Sequence, residues 1–291
     1  GPGGPGLPSL GLFRGDGAGG FASVVALGLD PLSDGAVDLT AADLDQDGWP
    51  DLAAVTGDAT WQVLAGDGAG GFGPPTKRST AGGPVGIATG DLDGDGDHEV
   101  VTISSAAVQV GVHRQGPAGF LEPVPTDVIA PGGAPASSSR LRAADLDQDG
   151  ALDLVVGWSE NFNGVYGLSI LFGQGDGTFA PPVTSTEPEF PEWLTSGDVD
   201  GDGDVDLLWL DGWGTWSASL RLRRNNGDGT FAPSQVLKGG FCEQDAGLVL
   251  ADMNGDGAPE VLLYDCFATL HLLPNLGGGA FGGPLTISIP G

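Results

Sequence analysis

A nine-residue acidic turn recurs five times along the chain and constrains its fold more than any other feature. In the third copy, carboxylates stand at positions one, three, five and nine (Asp145, Asp147, Asp149 and Asp153), and Gly150 at position six permits a tight turn. A hard cation such as Ca²⁺ takes six to eight oxygen ligands. The alternating side chains, together with the backbone carbonyl of position seven, supply most of such a shell. The pattern therefore predicts a calcium-binding turn.

The other four copies repeat the same ligand spacing at intervals of 48 to 54 residues. Strand-like apolar segments flank the turns, so they differ from the helix–loop–helix of an EF-hand, whose last ligand is at position twelve. Asn254 replaces an acid in the fifth copy, and we expect that site to be the weakest, because ligand charge tunes calcium affinity. The predicted ligands of the five turns are Asp43, Asp45, Asp47, Trp49 and Asp51; Asp91, Asp93, Asp95, Asp97 and Glu99; Asp145, Asp147, Asp149, Ala151 and Asp153; Asp198, Asp200, Asp202, Asp204 and Asp206; and Asp252, Asn254, Asp256, Ala258 and Glu260.

A second motif lies between the acidic turns: a glycine-rich turn that ends in phenylalanine. Clear copies span residues 66–72, 175–179 and 227–231. A turn of this kind joins two strands and places an aromatic ring in the core. The two motifs and their flanking strands give four antiparallel strands for each repeat of roughly 50 residues, which is typical of a β-propeller blade. We therefore predict an all-β fold without helices.

The Asp-x-Asp-x-Asp-Gly-x-x-Asp turn followed by Gly-Asp-Gly-x-Phe resembles the FG-GAP/VCBS repeats of integrin alpha-chain heads and of many bacterial secreted proteins. The resemblance covers nearly the whole chain after residue 10. It implies a β-propeller, usually of seven blades, with Ca²⁺ in the loops that join strands one and two of the blades. Members of the family include sugar-binding lectins, adhesion proteins and appendages of polysaccharide-degrading enzymes.

The repeats predict five complete blades and an outer half-blade at the N-terminus, with the propeller extending over residues 10–291 and a linker or expression remnant over residues 1–9. The half-blade begins with a third strand at residues 10–13, and the last blade ends with a fourth strand at residues 285–289. Three explanations remain open at this point. The ring closes in an unusual way, two strands lie outside this sequence, or a partner supplies them.

Charge and composition exclude several classes of function. The net charge of −29 excludes a general nucleic-acid binder, which needs a basic surface, and 21 of the 39 acidic residues fall in the five turns. No apolar run approaches the 18 residues of a membrane span. Calcium is abundant outside cells, so we expect a secreted or cell-surface protein. In that oxidising environment we expect a Cys242–Cys266 disulfide rather than two buried thiols.

The sequence offers no constellation typical of an enzyme. Its three histidines, His98, His113 and His271, lie in different repeats, and no metal-binding histidine pair or nucleophile elbow is present. The calcium ions, about five, are therefore expected to be structural. A catalytic role in polysaccharide degradation is the least favoured of the functions considered.

Aromatic residues collect in the variable connections between strands two and three, the longest of which covers residues 157–166, or at the start of strand three. Strand alternation places these connections on the face opposite the calcium turns, and Trp193 enters from the other connection on that face. Rings of this kind bind sugar faces or form the centre of a protein interface, although each could instead fill a gap between blades. We expect a lectin-like carbohydrate-binding module, with a protein–protein adhesion module as the alternative. The candidate ligand-binding residues are Trp61, Trp158, Phe162, Tyr166, Trp193, Trp213 and Trp216.

Overall fold

The computed structural model describes the chain at residues 10–12, 25–27, 36–56, 60–80, 82–104, 109–116, 119–128, 137–160, 164–212, 217–242, 246–266 and 269–288. Every regular element in these ranges is a β-strand, and the chain forms two compact units, Gly1–Asp127 and Val128–Gly291. No helix in the described part of the chain is long and apolar enough to cross a bilayer. The predicted linker, residues 1–9, lies outside the described residues.

The first unit contains a half-blade and two complete blades. The half-blade pairs β1 (Leu10–Leu12) with β2 (Val25–Leu27) in antiparallel fashion. The strands of blade one are β3 (Ala36–Ala42), β4 (Asp51–Thr56), β5 (Thr60–Leu64) and β6 (Thr76–Ser79). The strands of blade two are β7 (Pro84–Gly90), β8 (Glu99–Ser104), β9 (Gln109–His113) and β10 (Val124–Asp127). Each blade is a four-stranded sheet in which sequential strands are neighbours.

The second unit contains three blades of the same topology. The strands of blade three are β11 (Ser137–Ala144), β12 (Asp153–Glu160), β13 (Val165–Leu171) and β14 (Val183–Glu187). The strands of blade four are β15 (Pro191–Gly197), β16 (Asp206–Asp211), β17 (Ala218–Arg223) and β18 (Gln235–Phe241). The strands of blade five are β19 (Gly247–Ala251), β20 (Glu260–Asp265), β21 (Thr269–Leu273) and β22 (Leu285–Ser288). Five antiparallel four-stranded blades confirm the predicted β-propeller fold class, and β1 and β2 confirm the half-blade.

The apolar core lies between the faces of successive blades within each unit. Strand alternation sends Ala53 and Val55 to one face of blade one, where they pack against Ile87 and Val100 of blade two, while Ala54 packs against the half-blade. The phenylalanines that close the glycine turns pack partly buried against these clusters, as predicted. These rings are Phe72, Phe120, Phe231 and Phe281.

The hairpin of blade three is longer than predicted. The sequence placed Trp158 in an open connection over residues 157–166, but β12 continues to Glu160 and pairs with β13 from Val165 onwards. Gly167 makes this pairing possible, because a Cβ atom there would lie 2.4 Å from Cζ2 of Trp158. Trp193 was likewise predicted in a connection and instead lies within β15. Both tryptophans are therefore strand residues.

Candidate metal centres and ligand-binding surface

The five acidic turns join the first two strands of each complete blade, as predicted. Position six is glycine in every copy, with φ between 87° and 94°, and position four also adopts a positive φ. These left-handed residues reverse the chain so that its acidic side chains point inward. Asn and Gly would be the usual residues there, yet Gln46 and Gln148 occupy position four in the first and third turns with φ near 60°.

The carboxylates of positions one, three and nine converge in the first four turns. In each turn three ligand oxygens, one from each position, lie within 4.8 Å of one another. The converging sets are Asp43, Asp45 and Asp51; Asp91, Asp93 and Glu99; Asp145, Asp147 and Asp153; and Asp198, Asp200 and Asp206. Donor sets made only of carboxylate oxygen suit a hard divalent cation.

The position-five carboxylates are held by the turn instead of joining these sets. In all five copies, Oδ1 at position five accepts a hydrogen bond from the backbone amide of position seven, at 2.8–2.9 Å. The position-five acids are Asp47, Asp95, Asp149, Asp202 and Asp256, and the position-seven donors are Trp49, Asp97, Ala151, Asp204 and Ala258.

The position-nine carboxylate connects the acidic turn, a candidate metal-binding turn (the metal turn), to the glycine turn of the same blade. Asp153 accepts hydrogen bonds from the backbone amides of Leu146 and Gly173, both at 2.8 Å. Asp206 accepts hydrogen bonds from the backbone amides of Val199, at 3.1 Å, and Asn225, at 2.9 Å. Both carboxylates are fully buried. Each buried carboxylate thus holds one backbone amide of its acidic turn and one of the glycine turn in a fixed arrangement.

Several carboxylates of the turns have raised pKa values or buried oxygens without a hydrogen-bond partner, as expected for a cation site. Burial raises the pKa of Glu99 to about 7, and it raises those of Asp153 and Asp206 to about 6. Oδ1 of Asp93, Asp145 and Asp200 is buried and has no hydrogen-bond partner among the described residues. A buried carboxylate oxygen without a partner is costly, and a bound cation would satisfy it. The residues present therefore fit a metal ion.

The fifth turn differs from the other four at position three, where Asn254 replaces an acid. Nδ2 of Asn254 donates hydrogen bonds to Asp256, at 2.9 Å, and to Glu260, at 3.0 Å. The amide thus occupies carboxylate oxygens that a cation would otherwise use. Cys242, which precedes β19, and Cys266, which follows β20, form the predicted disulfide.

An amide side chain at the start of the glycine turn links successive blades, a contact that was not predicted from the sequence. Asn225 of blade four donates to the carbonyls of Leu146, in the metal turn of blade three, and Val205, at 2.8 and 3.1 Å. Asn275 of blade five donates in the same way to Val199, at 2.9 Å. In the first unit, the side-chain amide of Gln115 donates a hydrogen bond to the carbonyl of Leu44. The recurrence of an amide at one repeat position was the signal available in the sequence.

The candidate aromatic residues are not equally accessible. Trp61 has 0% exposure and packs against the rings of His113 and Phe120, with both pairs of centroids 5.0 Å apart. Trp158 is 7% exposed and lies over Gly167. The indole of Trp61 therefore fills the gap between blades one and two and offers no face to a ligand.

Tyr166 and Trp193 are the candidate rings that keep partial exposure in the described part of the chain. The Tyr166 ring lies 6.1 Å from that of Phe190, and the guanidinium of Arg140 lies 4.3 Å from the ring centre of Trp193. Phe162, Trp213 and Trp216 lie outside the described residues. The indole of Trp49, which was predicted only as a backbone ligand, is 51% exposed.

A cavity of about 370 Å³ lies between blades one and two and was not predicted. Ser104 ends β8 and Gln109 begins β9, so this part of the cavity is at the end of blade two away from its metal turn. Oγ1 of Thr80 and Oγ1 of Thr102 lie 3.2 Å apart across it, and Gln109 donates to Asp127. Its polar lining consists of Ser79, Thr80, Thr102, Ser104, Gln109 and Glu122, with Val110, Pro123 and Pro125 as apolar wall.

Comparison with known proteins agrees with the repeat pattern. The profile of the FG-GAP-like repeat matches residues 43–102, 145–209 and 210–263, which together make up more than half of the chain. No curated protein sequence shows significant similarity to it.

Three solved structures illustrate the fold similarity. BP39L, a lectin of Burkholderia pseudomallei, has a TM-score of 0.70 at 18% identity over 97% of this chain and 82% of its own. A lectin of Agrocybe aegerita, described as recognising non-reducing terminal N-acetylglucosamine, has a TM-score of 0.61 at 19% identity over 95% and 73%. BBS1N, crystallised in complex with ARL6DN, has a TM-score of 0.52 at 13% identity over 87% and 66%. At these identities the similarity shows the fold alone.

Proposed function

Because the chain belongs to the FG-GAP-like repeat family, we propose that it is a calcium-stabilised module that binds carbohydrate and catalyses no reaction. The observation that carries this proposal is the cavity of about 370 Å³ between blades one and two. Its volume falls within the usual range for small-molecule sites, about 300–1,000 Å³. The two lectins of similar fold support the same class of ligand.

The lining of the cavity matches the chemistry of a neutral sugar. Hydroxyl groups of Ser79, Thr80 and Ser104 can exchange hydrogen bonds with sugar hydroxyls, and the carboxylate of Glu122 can accept them. Pro123 and Pro125 provide apolar surface for the C–H groups of a sugar ring. The cavity contains no basic side chain among its described lining residues, which disfavours an anionic ligand.

The proposed calcium ions have a structural role in this module. The converging carboxylates of the first four turns would hold them, with Asp252, Asp256 and Glu260 as the acids of the fifth. Bound calcium supplies positive charge to carboxylates that otherwise repel one another. The turns then keep the first two strands of each blade in register.

We further propose that the protein works outside the cell. The Cys242–Cys266 disulfide is typical of an oxidising compartment, and calcium is plentiful there.

The contacts of the three histidines support a non-catalytic role. His113 is buried beside Thr102, His271 pairs with Asp265 at 2.9 Å, and Nδ1 of His98 lies 3.3 Å from the carbonyl oxygen of Asp43.

A glycan array, probed in calcium with the wild type and two variants, tests this proposal. Ser79→Tyr places a ring in the cavity, whereas Thr186→Tyr introduces the same residue at an exposed position of the outer strand of blade three, which does not line the cavity. We expect the wild type and T186Y to bind the same glycans and S79Y to lose them. Absence of glycan binding by the wild type, or equal binding by all three proteins, contradicts the proposal.

The alternative is a protein–protein adhesion module, and the half-buried rings of Tyr166 and Trp193 favour it. Aromatic residues that remain partly exposed are typical of the centres of protein interfaces. On this hypothesis the aromatic rings bind a protein and the cavity plays no part. Loss of binding to a cell surface in a Trp193→Ala variant, with normal binding in S79Y, would favour adhesion.

A further inference from the structure

In blades two, three and four, the residue that precedes the glycine turn covers the position-three acid of the adjacent metal turn. In blade four, Nε of Arg224 lies 3.0 Å from Oδ2 of Asp200, the position-three acid, and Arg224 also donates to the carbonyls of Gly278 and Gly279. In blade two, Nη1 of Arg114 lies 3.7 Å from Oδ2 of Asp93. The arginines therefore cover the position-three carboxylates of these two turns.

Phe172 takes the same place in blade three. A Cβ atom at Gly229 would meet both the ring of Phe172, at 2.7 Å, and Cβ of Asp147, at 3.1 Å. The ring and the glycine turn of the next blade thus enclose the position-three acid. Asp147 is half-buried as a result, like Asp93 and Asp200.

Blade one carries alanine, Ala65, at this place, and its metal turn is open. Asp45 is exposed, unlike the position-three acids of the next three turns. A cavity of about 240 Å³ occupies the space, lined by Asp45, Asp51, Ala65, Arg78 and other residues. The small side chain of Ala65 leaves room for this cavity, whereas a larger residue covers the position-three acid in blades two, three and four.

The cavity also presents a hydrogen-bond donor without a partner. Nε of Arg78 is buried and makes no hydrogen bond with any described residue, and its guanidinium lies 5.8 Å from the ring centre of Phe120. Val63 and Phe120 give the cavity an apolar side. A guanidinium with an unpaired donor and two carboxylates line the same cavity beside an aromatic ring, and a ligand bearing hydroxyl groups can hydrogen-bond to both kinds of group.

We propose that this cavity is a second binding site, in which one saccharide unit places its hydroxyl groups between Arg78 and the metal-binding carboxylates Asp45 and Asp51. The inference rests on the proposed function both for the cation and for the class of ligand. A hard cation takes more oxygen ligands than the three converging carboxylates provide, so hydroxyl oxygens that enter the cavity can reach the cation. The strong negative charge of the chain, −29, favours neutral hydroxyls over an anionic ligand.

Terbium luminescence can observe this site separately from the others. Tb³⁺ replaces calcium in oxygen sites, and the Trp49 indole, at position seven of the same turn, can excite it. The part of the emission lost in Trp49→Phe therefore reports the first turn. Emission lifetimes in H₂O and D₂O count the water molecules bound to the ion, and we expect about two at this turn.

Methyl glycosides of mannose, galactose, glucose and fucose serve as the probes. We expect at least one of them to lengthen the Trp49-dependent lifetime in H₂O by displacing water. Ala65→Arg, which introduces the residue found in blades two and four, should reduce this response by about fivefold or more. Ala69→Arg adds the same charge at an exposed position of the same glycine turn and should leave the response unchanged.

Two results overturn the inference: a Trp49-dependent lifetime that no glycoside changes, or an equal response in the wild type and A65R. Glycan-array binding that S79Y abolishes and A65R leaves intact would accompany failure of this second site alone. Absence of Trp49-dependent emission would instead show that the first turn holds no cation, which refutes the calcium proposal together with this one.

Discussion

Replacement of Asn225 by alanine should destabilise the second unit by removing the amide that links blades three and four. The side chain is 4% exposed, donates to the carbonyls of Leu146 and Val205, and accepts a hydrogen bond from the amide of Gly227 at 3.1 Å. Three hydrogen bonds at about 1 kcal/mol each give a loss of about 3 kcal/mol in the free energy of unfolding. In a unit of this size the melting temperature should fall by about 6–12 °C.

Two further variants separate the hydrogen bonds from the volume of the side chain. Asn225→Asp keeps the shape but directs an anion toward two carbonyl oxygens, so we expect it to be at least as destabilising as alanine. Asn226→Ala removes a neighbouring, exposed amide that donates to Thr230, and should change stability by less than about 0.5 kcal/mol. Thermal unfolding followed by circular dichroism in calcium measures all three. Equal melting temperatures for N225A and N226A would refute the reasoning.

Three other predictions concern the metal turns and a buried histidine. Removal of calcium by a chelator should lower the melting temperature, since ligation contributes about 2.7 kcal/mol per site at a hundredfold excess over Kd. During the chelator titration, the amide NMR signal of Gly257 should change before those of the other turns, because Asn254 weakens the fifth site. A Gly257 signal that changes last would contradict this. Arg224→Gln should raise calcium affinity at the fourth turn by about tenfold, because it removes a positive charge 3.0 Å from Asp200. Calorimetric titration with calcium measures this gain, and the exposed control Lys238→Gln should not show it. Burial lowers the pKa of His113 from 6.5 to about 4, so the unfolded chain binds an extra proton in that interval and stability should fall as the pH drops from about 6.5 to 4. The loss from this residue is at most about 3 kcal/mol, and urea unfolding of His113→Gln across the same pH range should lack it; identical pH profiles would exclude the mechanism.

The sequence predicted the parts of the fold that depend on local repetition. The spacing of the acidic residues and the glycine at position six located all five acidic turns between the first two strands of their blades, and the phenylalanine after the glycine turn indicated a core ring. The disulfide between Cys242 and Cys266 followed from the oxidising environment expected of an exported protein. These features depend on residues close together in the chain.

The accessibility of the aromatic rings could not be predicted, because it depends on residues about 50 positions away. Trp61 lies near the start of β5, as expected, yet its burial is due to His113 and Phe120 in the next blade. The cavity at Ala65 likewise becomes visible only when neighbouring blades supply its other walls. A pattern of one repeat does not contain the shape of the space between two repeats.

The amide links also imply how stability is distributed along the chain. Asn225 and Asn275 each connect the glycine turn of one blade to the metal turn of the preceding blade, so the order of one turn supports the blade that follows. This is the behaviour of a one-dimensional array with nearest-neighbour coupling. Occupation of one metal turn should therefore protect amide hydrogens in the next blade from exchange with solvent, and the second unit should unfold as a coupled series rather than as independent repeats.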